Sequence, residues 1–182
     1  MKMKQCEEAL PLLEKAVQIR PNAPGSFFAM GGCYEILSNK KKAEEYYRHV
    51  TESVAQSGQD YIFQGIAFSK LEDKERAIGS FFDAVKADPL DVEVRMFLGN
   101  SLLEIRQYDI AFKHYFVASE ISPQYAPAYT GMGKAMLATG NLREARKHFN
   151  KALSLLPLGF ESQRPGFPER KELLELLDKT KG

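Results

Sequence analysis

Two histidines have a spacing that could support metal binding. His114 and His148 are 34 residues apart, so in a chain that repeats with this period they would occupy equivalent positions on neighbouring helices. A metal pair also needs a carboxylate or thiolate companion, and none stands at an obvious position beside them. We therefore interpret both as solvated surface side chains.

Two cysteines, Cys6 and Cys33, are the thiols of the chain. They lack the paired ligand spacing of zinc sites, and two are too few for the disulfide framework of a small secreted domain. We interpret them as reduced thiols and expect a cytoplasmic protein.

Motifs for catalysis and nucleotide binding are missing from the sequence. The 182 residues contain no P-loop, no G-x-S-x-G and no H-E-x-x-H. We predict that the chain is not an enzyme and that it has no catalytic, cofactor-binding or metal-binding residues.

The charge balance gives no reason to expect a nucleic acid or an anionic membrane as partner. Lys and Arg number 25 against 24 Asp and Glu, a formal net charge of +1. The lysine run at 40–42 has no aromatic platform beside it, so we interpret it as a solvated turn. Glu7, Glu8 and Glu14 interrupt the first apolar stretch, which argues against a secretory signal or a membrane span there.

The elements that carry these residues follow a period of 34. Small residues recur in two of its phases: Ala9, Ala43, Ala77, Ala111 and Ala145, and Gly31, Gly65, Gly99 and Gly133. Because glycine makes up about 7% of an average protein, four glycines in one chosen phase are not expected by chance. The chain therefore consists of successive copies of one unit.

Each copy is predicted to contain two antiparallel helices. Ala77, Phe81 and Ala84 are separated by four and three residues, so they share one face of a helix. A glycine within a helix, such as Gly65, costs about 1 kcal/mol relative to alanine, so we infer that it allows two helices to approach closely. Prolines end the second helix of four copies: Pro21, Pro89, Pro123 and Pro157.

The pattern G-x2-Y/F…A-x3-F/Y-x2-A-x4-P resembles the tetratricopeptide-repeat (TPR) family, most completely in GIAFSKLEDKERAIGSFFDAVKADP. The resemblance covers nearly the whole chain. It implies an all-α fold without a β-sheet, namely a right-handed α-solenoid of antiparallel helix pairs. Four residues depart from the pattern: Val50, Ala55, Gln64 and Arg95.

The period divides the chain into repeats. We expect the second helix of an incomplete repeat at 1–23, full repeats at 24–57, 58–91, 92–125 and 126–159, and a linker with a C-terminal capping helix at 160–182. In this last segment, Phe160 and Phe167 are expected to fix the linker and Pro168 to begin the helix, whose apolar stripe is Leu173, Leu176 and Leu177.

The first helix is expected to lack a neighbour on one side. Its apolar face, with Leu13 and Ala16, would then be uncovered. We expect either that residues precede Met1 in the natural protein or that another copy of the chain packs there, which would make a homo-oligomer.

The resemblance also implies a binding surface. One stripe of each first helix lines a concave groove in TPR proteins, and the matching residues here are Phe28, Glu35, Ile62, Phe63, Ile66, Lys70, Met96, Phe97, Asn100, Glu104 and Lys134. The centre of this groove is apolar, which suits a helix or an extended segment of a partner. For Phe63 and Phe97, lateral packing between neighbouring first helices is the alternative.

A carboxylate clamp, which some TPR proteins use for chaperone tails, is not predicted. The clamp requires Lys, Asn and Arg at positions that are here Phe28, Gly32, Phe63, Glu93 and Phe97. We therefore predict a protein-interaction module or adaptor that binds a protein or peptide in an apolar groove. Two alternatives are a self-assembling scaffold joined through the first helix and a small TPR chaperone of the secretion type.

Overall fold

The computed structural model describes residues 2–156 and 170–181. Within these ranges every regular element is an α-helix, and the predicted all-α fold of antiparallel helix pairs is confirmed. None of the helices there combines the length and the apolar character needed to cross a lipid bilayer. Phe160, Phe167 and Pro168, which were expected to organise the linker, lie outside the described residues.

The chain separates into two compact units, Met1–Asp88 and Pro89–Gly182. Unit 1 contains α1 (Lys2–Ile19), α2 (Pro24–Ile36), α3 (Lys40–Glu52), α4 (Gly58–Lys70) and α5 (Lys74–Ala87). The described part of unit 2 contains α6 (Val92–Glu104), α7 (Tyr108–Ile121), α8 (Ala126–Ala138), α9 (Leu142–Ser154) and α10 (Arg170–Asp178).

The turn inside each helix pair repeats one backbone geometry. Asn39 N–H donates to the carbonyl of Tyr34 at 2.8 Å, and the same bond recurs in the other three turns. This bond closes a left-handed C-terminal motif, which reverses the chain between the paired helices. Each of the four turns contains one residue with positive φ, and these residues are spaced 34 apart: Ser38 (58°), Glu72 (63°), Arg106 (64°) and Gly140 (81°).

Polar side chains fix the start of several helices. At α4, the Ser57 hydroxyl accepts from the Asp60 N–H while the Asp60 carboxylate accepts from the Ser57 N–H, a reciprocal capping box. Four further helices begin at a side-chain cap: Asn39, Asp73, Asp91 and Asn141.

Glycines in the first helices of unit 1 face aromatic rings of the second helices. A Cβ atom added to Gly65 would lie 2.5 Å from a ring carbon of Phe81, and one added to Gly31 would lie 2.7 Å from the ring of Tyr47. Both rings are almost completely buried. The recurrent glycine is therefore explained by close helix packing.

Unit 2 uses the same packing and adds a C-terminal helix. The ring of Tyr115 lies against both Gly99 and Gly131, where an added Cβ would be 2.5 and 2.6 Å away. On α10, Leu173 is fully buried in the cluster that includes Phe149. Hydrogen bonds from Arg146 to the Thr180 carbonyl (2.9 Å) and hydroxyl (3.1 Å) attach the end of this segment to α9.

Two polar residues that depart from the repeat pattern bond to nearby backbone. The Gln64 amide donates to the carbonyl of Ser53 at 2.6 Å, and the Arg95 guanidinium donates to the carbonyl of Pro89 at 2.5 and 2.9 Å. Each replaces apolar packing with a bond that holds the preceding loop.

Candidate functional site

Two stacked aromatic rings lie at the centre of the first-helix face of unit 1. We define this face as Phe28, Glu35, Ile62, Phe63, Ile66 and Lys70. The Phe28 and Phe63 rings have centroids 4.9 Å apart and an interplanar angle of 28°. Both side chains are half-buried against the core of unit 1. Phe63 therefore packs laterally between the first helices α2 and α4, and only part of its ring reaches solvent.

The isoleucines of the same face extend this apolar surface along α4. Ile62 and Ile66 are four residues apart, so they lie one above the other on the helix. Both are half-buried. Together with the accessible part of the aromatic stack, they form a partly exposed apolar strip.

An ion pair flanks the apolar strip. Lys70 at the end of α4 donates to both carboxylate oxygens of Glu35 at the end of α2, at 2.8 and 3.0 Å. The two side chains remain about two-fifths exposed, at 44% for Lys70 and 40% for Glu35. The charges of these two expected groove residues thus neutralise one another, while each side chain keeps atoms open to solvent.

A buried phenol adjoins this ion pair. The Tyr47 side chain, on α3, lines the same cavity as the Glu35 carboxylate. Burial of the ring, followed by the negative charge of Glu35, raises the pKa of Tyr47 well above its ordinary value. The phenol therefore stays protonated at physiological pH.

A cavity of about 310 Å³ opens beside these groups. It lies where α2 and α4 end and α3 begins, and it is lined by Glu35, Ser38, Lys40, Ala43, Glu44, Tyr47 and Lys70. The sequence pattern placed Lys40 in a solvated turn, and it did not indicate that Lys40 and Tyr47 line a cavity. The signal in the sequence that could have indicated this cavity was the hydroxyl of Tyr47, because a residue that only packs does not require a hydroxyl. The cavity offers hydrogen-bond donors and acceptors next to an apolar strip.

The expected groove residues of α6, in unit 2, differ in exposure. Met96 is buried at 9% exposed, whereas Phe97 keeps 36% of its surface accessible. Asn100 and Glu104 are exposed, and Asn100 Oδ1 accepts a 2.8 Å hydrogen bond from the Tyr115 hydroxyl. The expectation of an open side chain therefore does not hold for Met96, because it packs into unit 2.

The expected groove residue of α8, Lys134, is paired within the chain. Its ammonium lies 2.8 Å from a carboxylate oxygen of Glu172 on α10. The neighbouring Thr130 and Gly131 are buried, and Gly131 contacts the Tyr115 ring. Thr130 and Gly131 are therefore covered by packing within unit 2, whereas Lys134 keeps 40% of its side chain accessible beside its partner on α10.

The first helix exposes other apolar side chains than those expected. Leu13 and Ala16 are half-buried. Exposed apolar side chains of α1 include Leu12 at 66% and Ile19 at 79%, which are seven residues apart and so lie on one face of the helix.

The two repeat-spaced histidines are half-buried, which corrects the expectation of solvated side chains. Burial lowers the pKa of both, and the positive charge of Arg95 lowers that of His114 further. The His148 ring contacts Phe112 edge-on at 5.7 Å. Among residues 2–156 and 170–181, no three His, Cys, Asp or Glu side chains are grouped so that they could hold a metal ion.

Comparison with sequence families gives three matches, each described as tetratricopeptide repeat. They cover residues 24–53, 64–126 and 126–158. Among curated proteins, the chain is 28% identical over 155 residues to human protein O-mannosyl-transferase TMTC1. That alignment covers 83% of this chain and 18% of the relative, so the chain spans less than a fifth of the protein it matches.

Solved structures share the fold. MamA has a TM-score of 0.68 at 23% identity, over 82% of this chain and 88% of MamA. The second TPR domain of human RPAP3, solved in complex with the HSP70 peptide SGPTIEEVD, has a TM-score of 0.55 at 25% identity, over 69% of this chain and 93% of that domain. With its repeat period, its glycine-to-ring packing and these matches, the chain belongs to the tetratricopeptide-repeat family.

Proposed function

We propose that the chain is an adaptor that binds an apolar peptide or helix of a partner protein on the first-helix face of unit 1. The observation that carries this proposal is the partly exposed strip of Phe28, Ile62, Phe63 and Ile66 beside the Glu35–Lys70 ion pair. Peptide binding by the similar RPAP3 domain supports a peptide as the ligand class.

The face offers two kinds of contact. An apolar side chain of the ligand would cover Ile62 and Ile66 and gain the free energy of removing that surface from water. The half-exposed Lys70 ammonium can donate to a ligand carbonyl, and the Glu35 carboxylate can accept from a ligand N–H. Backbone contacts of this kind fix the direction of a bound segment without requiring a charged end.

The ligand is proposed to differ from the peptide in the RPAP3 complex. That peptide ends in Glu-Glu-Val-Asp, a sequence rich in carboxylates. The positions that would supply a carboxylate clamp in this chain include Phe28, Gly32 and Phe63, which carry no charge. An apolar segment is therefore the better match.

A selection from a phage-displayed random peptide library tests this proposal. Selected peptides are resynthesised, and their Kd is measured by fluorescence polarisation for the wild type, Ile66→Glu and the control Val54→Glu. Val54 is an exposed apolar residue in the connection between α3 and α4, and it is not one of the residues that define the face. We expect Ile66→Glu to weaken binding at least about tenfold, which corresponds to about 1.4 kcal/mol, and Val54→Glu to leave it unchanged. Equal affinities for all three folded proteins would contradict the proposal.

Self-assembly is a second candidate, favoured by the exposure of Leu12 and Ile19 on one face of α1. Light scattering over a range of concentrations measures it directly. An increase in mass with concentration that Leu12→Glu abolishes supports assembly through α1, and a constant monomer mass contradicts it.

We further propose that the chain binds partners rather than catalysing a reaction, and that it acts in the cytoplasm. We do not assign to this chain the transferase activity in the name of the human relative, because the alignment covers only 18% of that protein. The division at 1–23, 24–57, 58–91, 92–125, 126–159 and 160–182 is likewise our proposal for the repeat boundaries.

A further inference from the structure

The cavity beside the apolar strip of unit 1 has room for a side chain of a bound segment. Its volume of about 310 Å³ lies at the lower end of the range for ligand cavities, about 300–1,000 Å³. Glu35 and Lys70 line this cavity and also flank the strip. A peptide that covers the strip can therefore extend one side chain into the cavity.

The floor of the cavity is apolar. Ala43 and Tyr47 are four residues apart on α3, so their side chains are neighbours on one face of that helix. Both are almost completely buried, at 3% exposed, and both line the cavity. A flat or extended side chain therefore finds carbon atoms to pack against below the polar rim.

The charged groups around this floor are not equally available to a ligand. Glu35 and Lys70 hydrogen-bond each other, so each cancels the charge of the other. The remaining pair is unequal, since the Glu44 side chain is 36% exposed whereas that of Lys40 is 89% exposed. The Lys40 ammonium extends into water, which leaves the Glu44 carboxylate as the charge held at the cavity wall.

Glu44 keeps the capacity to accept hydrogen bonds from a ligand. Lys40 Nζ lies 3.8 Å from its Oε1, and Arg48 Nη2 lies 3.6 Å from its Oε2. Charge-assisted hydrogen bonds are about 2.7–2.9 Å long, so both cations are too far away to form one. Both are also exposed, and exposed ion pairs of this kind are weak. A ligand cation can therefore replace them at the carboxylate.

The backbone dipoles of the surrounding helices favour a cation as well. The C-terminal end of a helix carries about half a negative elementary charge, and the N-terminal end carries about half a positive one. The cavity lies beside the ends of α2 and α4 and the start of α3. Because two negative ends outweigh one positive end, the backbone attracts a cation to this cavity and repels a carboxylate.

We propose that the cavity binds the guanidinium of an arginine in the partner segment, with Glu44 as its main acceptor and Glu35 as a second. This inference rests on the proposed peptide binding and specifies one residue of that peptide. The arginine would stand at one end of the apolar part of the segment, which covers Ile62 and Ile66.

Arginine fits this cavity better than lysine. Its planar guanidinium has five N–H donors in a rigid fork, so it can bond to carboxylates on two helices at once. Its flat face also stacks on aromatic rings, and the Tyr47 side chain lines the cavity. A lysine ammonium is a strongly hydrated point charge, so it would lose more hydration on entering the cavity.

Three small probes test the proposal: the Nα-acetyl amides of arginine, citrulline and glutamate. Citrulline has the shape of arginine without its charge. Each probe is titrated into the isotopically labelled chain at low ionic strength, and amide shifts give its Kd for the wild type, Glu44→Gln and Glu45→Gln. Glu45 is exposed, adjacent on α3 and not a lining residue of the cavity, so its variant is a control with the same change of charge.

We expect the arginine probe to bind the wild type at least about fivefold more tightly than the citrulline probe, with the largest shifts on Ala43, Glu44 and Tyr47. Glu44→Gln should remove this difference, and Glu45→Gln should preserve it. Equal affinities for the two probes, tighter binding of the glutamate probe, or an unchanged preference in Glu44→Gln would overturn the proposal.

Library-selected peptides carry the same test to the complete ligand. They should contain an arginine whose replacement by citrulline weakens binding to the wild type at least about fivefold and leaves binding to Glu44→Gln unchanged. Selected peptides that bind the strip without an arginine, or whose arginine can be replaced at no loss, would overturn the inference and leave the proposed function standing.

Ile66→Ser identifies the opposite failure. Ile66 belongs to the apolar strip and is not a lining residue of the cavity, and the substitution changes no charge. The folded variant should bind the selected peptides more weakly and the arginine probe as tightly as the wild type does. If peptide binding is unchanged while the arginine probe still depends on Glu44, the proposed function fails and the guanidinium site stands.

Discussion

The hydroxyl of Tyr115 on α7 lies 2.8 Å from Oδ1 of Asn100 on α6 and donates a hydrogen bond to it. In unit 1, Tyr47 on α3 lines a cavity together with Glu35 on α2, and the negative charge of Glu35 helps to raise the pKa of this phenol. In both units, a tyrosine ring that fills the space beside a glycine thus also lies near a predicted binding residue of the first helix.

These phenols predict a loss of stability at alkaline pH. The ordinary pKa of tyrosine is 10.0, and burial raises the pKa of Tyr47 and Tyr115 in the folded state. Above about pH 10 the unfolded chain releases these protons while the folded chain keeps them, so stability falls by up to about 1.4 kcal/mol per pH unit for each tyrosine. Below pH 10 their contribution is fully present.

Urea unfolding of the wild type, Tyr47→Phe and Tyr115→Phe between pH 7 and pH 11 measures this effect. Each variant should show a shallower decline above pH 10 than the wild type, with pH 7 as the internal reference. Parallel declines in all three proteins would argue against the raised pKa values.

We predict that position 65 accepts no side chain larger than that of glycine without a loss of stability. Gly65→Ala places a methyl group 2.5 Å from the Phe81 ring, and overpacking of this kind costs about 1–3 kcal/mol. Gly79→Ala on α5 is the matched control, because a Cβ there meets no heavy atom within 4 Å, and it should stabilise by about 0.5–1 kcal/mol. The free energy of urea unfolding measures both.

The double variant Gly65→Ala with Phe81→Leu tests the cause of the first effect. A smaller side chain at 81 gives the methyl group room, so the two substitutions together should cost less than the sum of their separate costs. Additive costs would mean that the ring does not set the limit.

The helix pairs were predictable because their signals are local and repeated. Gly65, Phe81 and Ala84 fall in fixed phases of one period, and the observed packing gives each phase its reason. The positive φ of Glu72 and Arg106 could not be predicted from the sequence, because neither residue type favours this backbone conformation. Their conformation is imposed by the turn and by the bonds that close it.

Leu173 predicts how strongly α10 stabilises unit 2. It is fully buried, so Leu173→Ala should cost about 2–5 kcal/mol. The adjacent Leu174 is 51% exposed, and Leu174→Ala should change stability by less than about 0.5 kcal/mol. Hydrogen exchange of α9 amides, which pack on α10, should accelerate in the first variant alone. Equal effects of the two substitutions would mean that α10 is not fixed in this orientation.

The Glu35–Lys70 pair should add little to folding. Its side chains are about two-fifths exposed, with 40% for Glu35 and 44% for Lys70, and exposed ion pairs contribute about 0.2–1 kcal/mol. A double-mutant cycle with Glu35→Gln and Lys70→Met measures the coupling, which should shrink in 1 M salt. A coupling well above 1 kcal/mol, insensitive to salt, would instead assign the pair a mainly structural role.

The binding face was harder to predict than the fold because its properties depend on neighbours. The position of Phe28 and Phe63 within the repeat identified them as residues of the binding face. It did not predict that their rings stack or that Met96 is buried. Lys134 was expected to face a ligand, yet it pairs with Glu172 from a segment outside the repeat pattern. The burial and the ion pairing of a residue depend on side chains of other helices, and the residue's position within its own helix gives no information about them.

The central claim is that a ligand binds across the first helices α2 and α4. Amide chemical-shift perturbation in the isotopically labelled chain, titrated with a library-selected peptide, tests it most directly. We predict that the largest shifts fall on Phe28, Glu35, Ile62, Ile66 and Lys70, with smaller shifts in α5. Shifts confined to α1, α5 or α10, with these residues unchanged at saturation, would contradict the account.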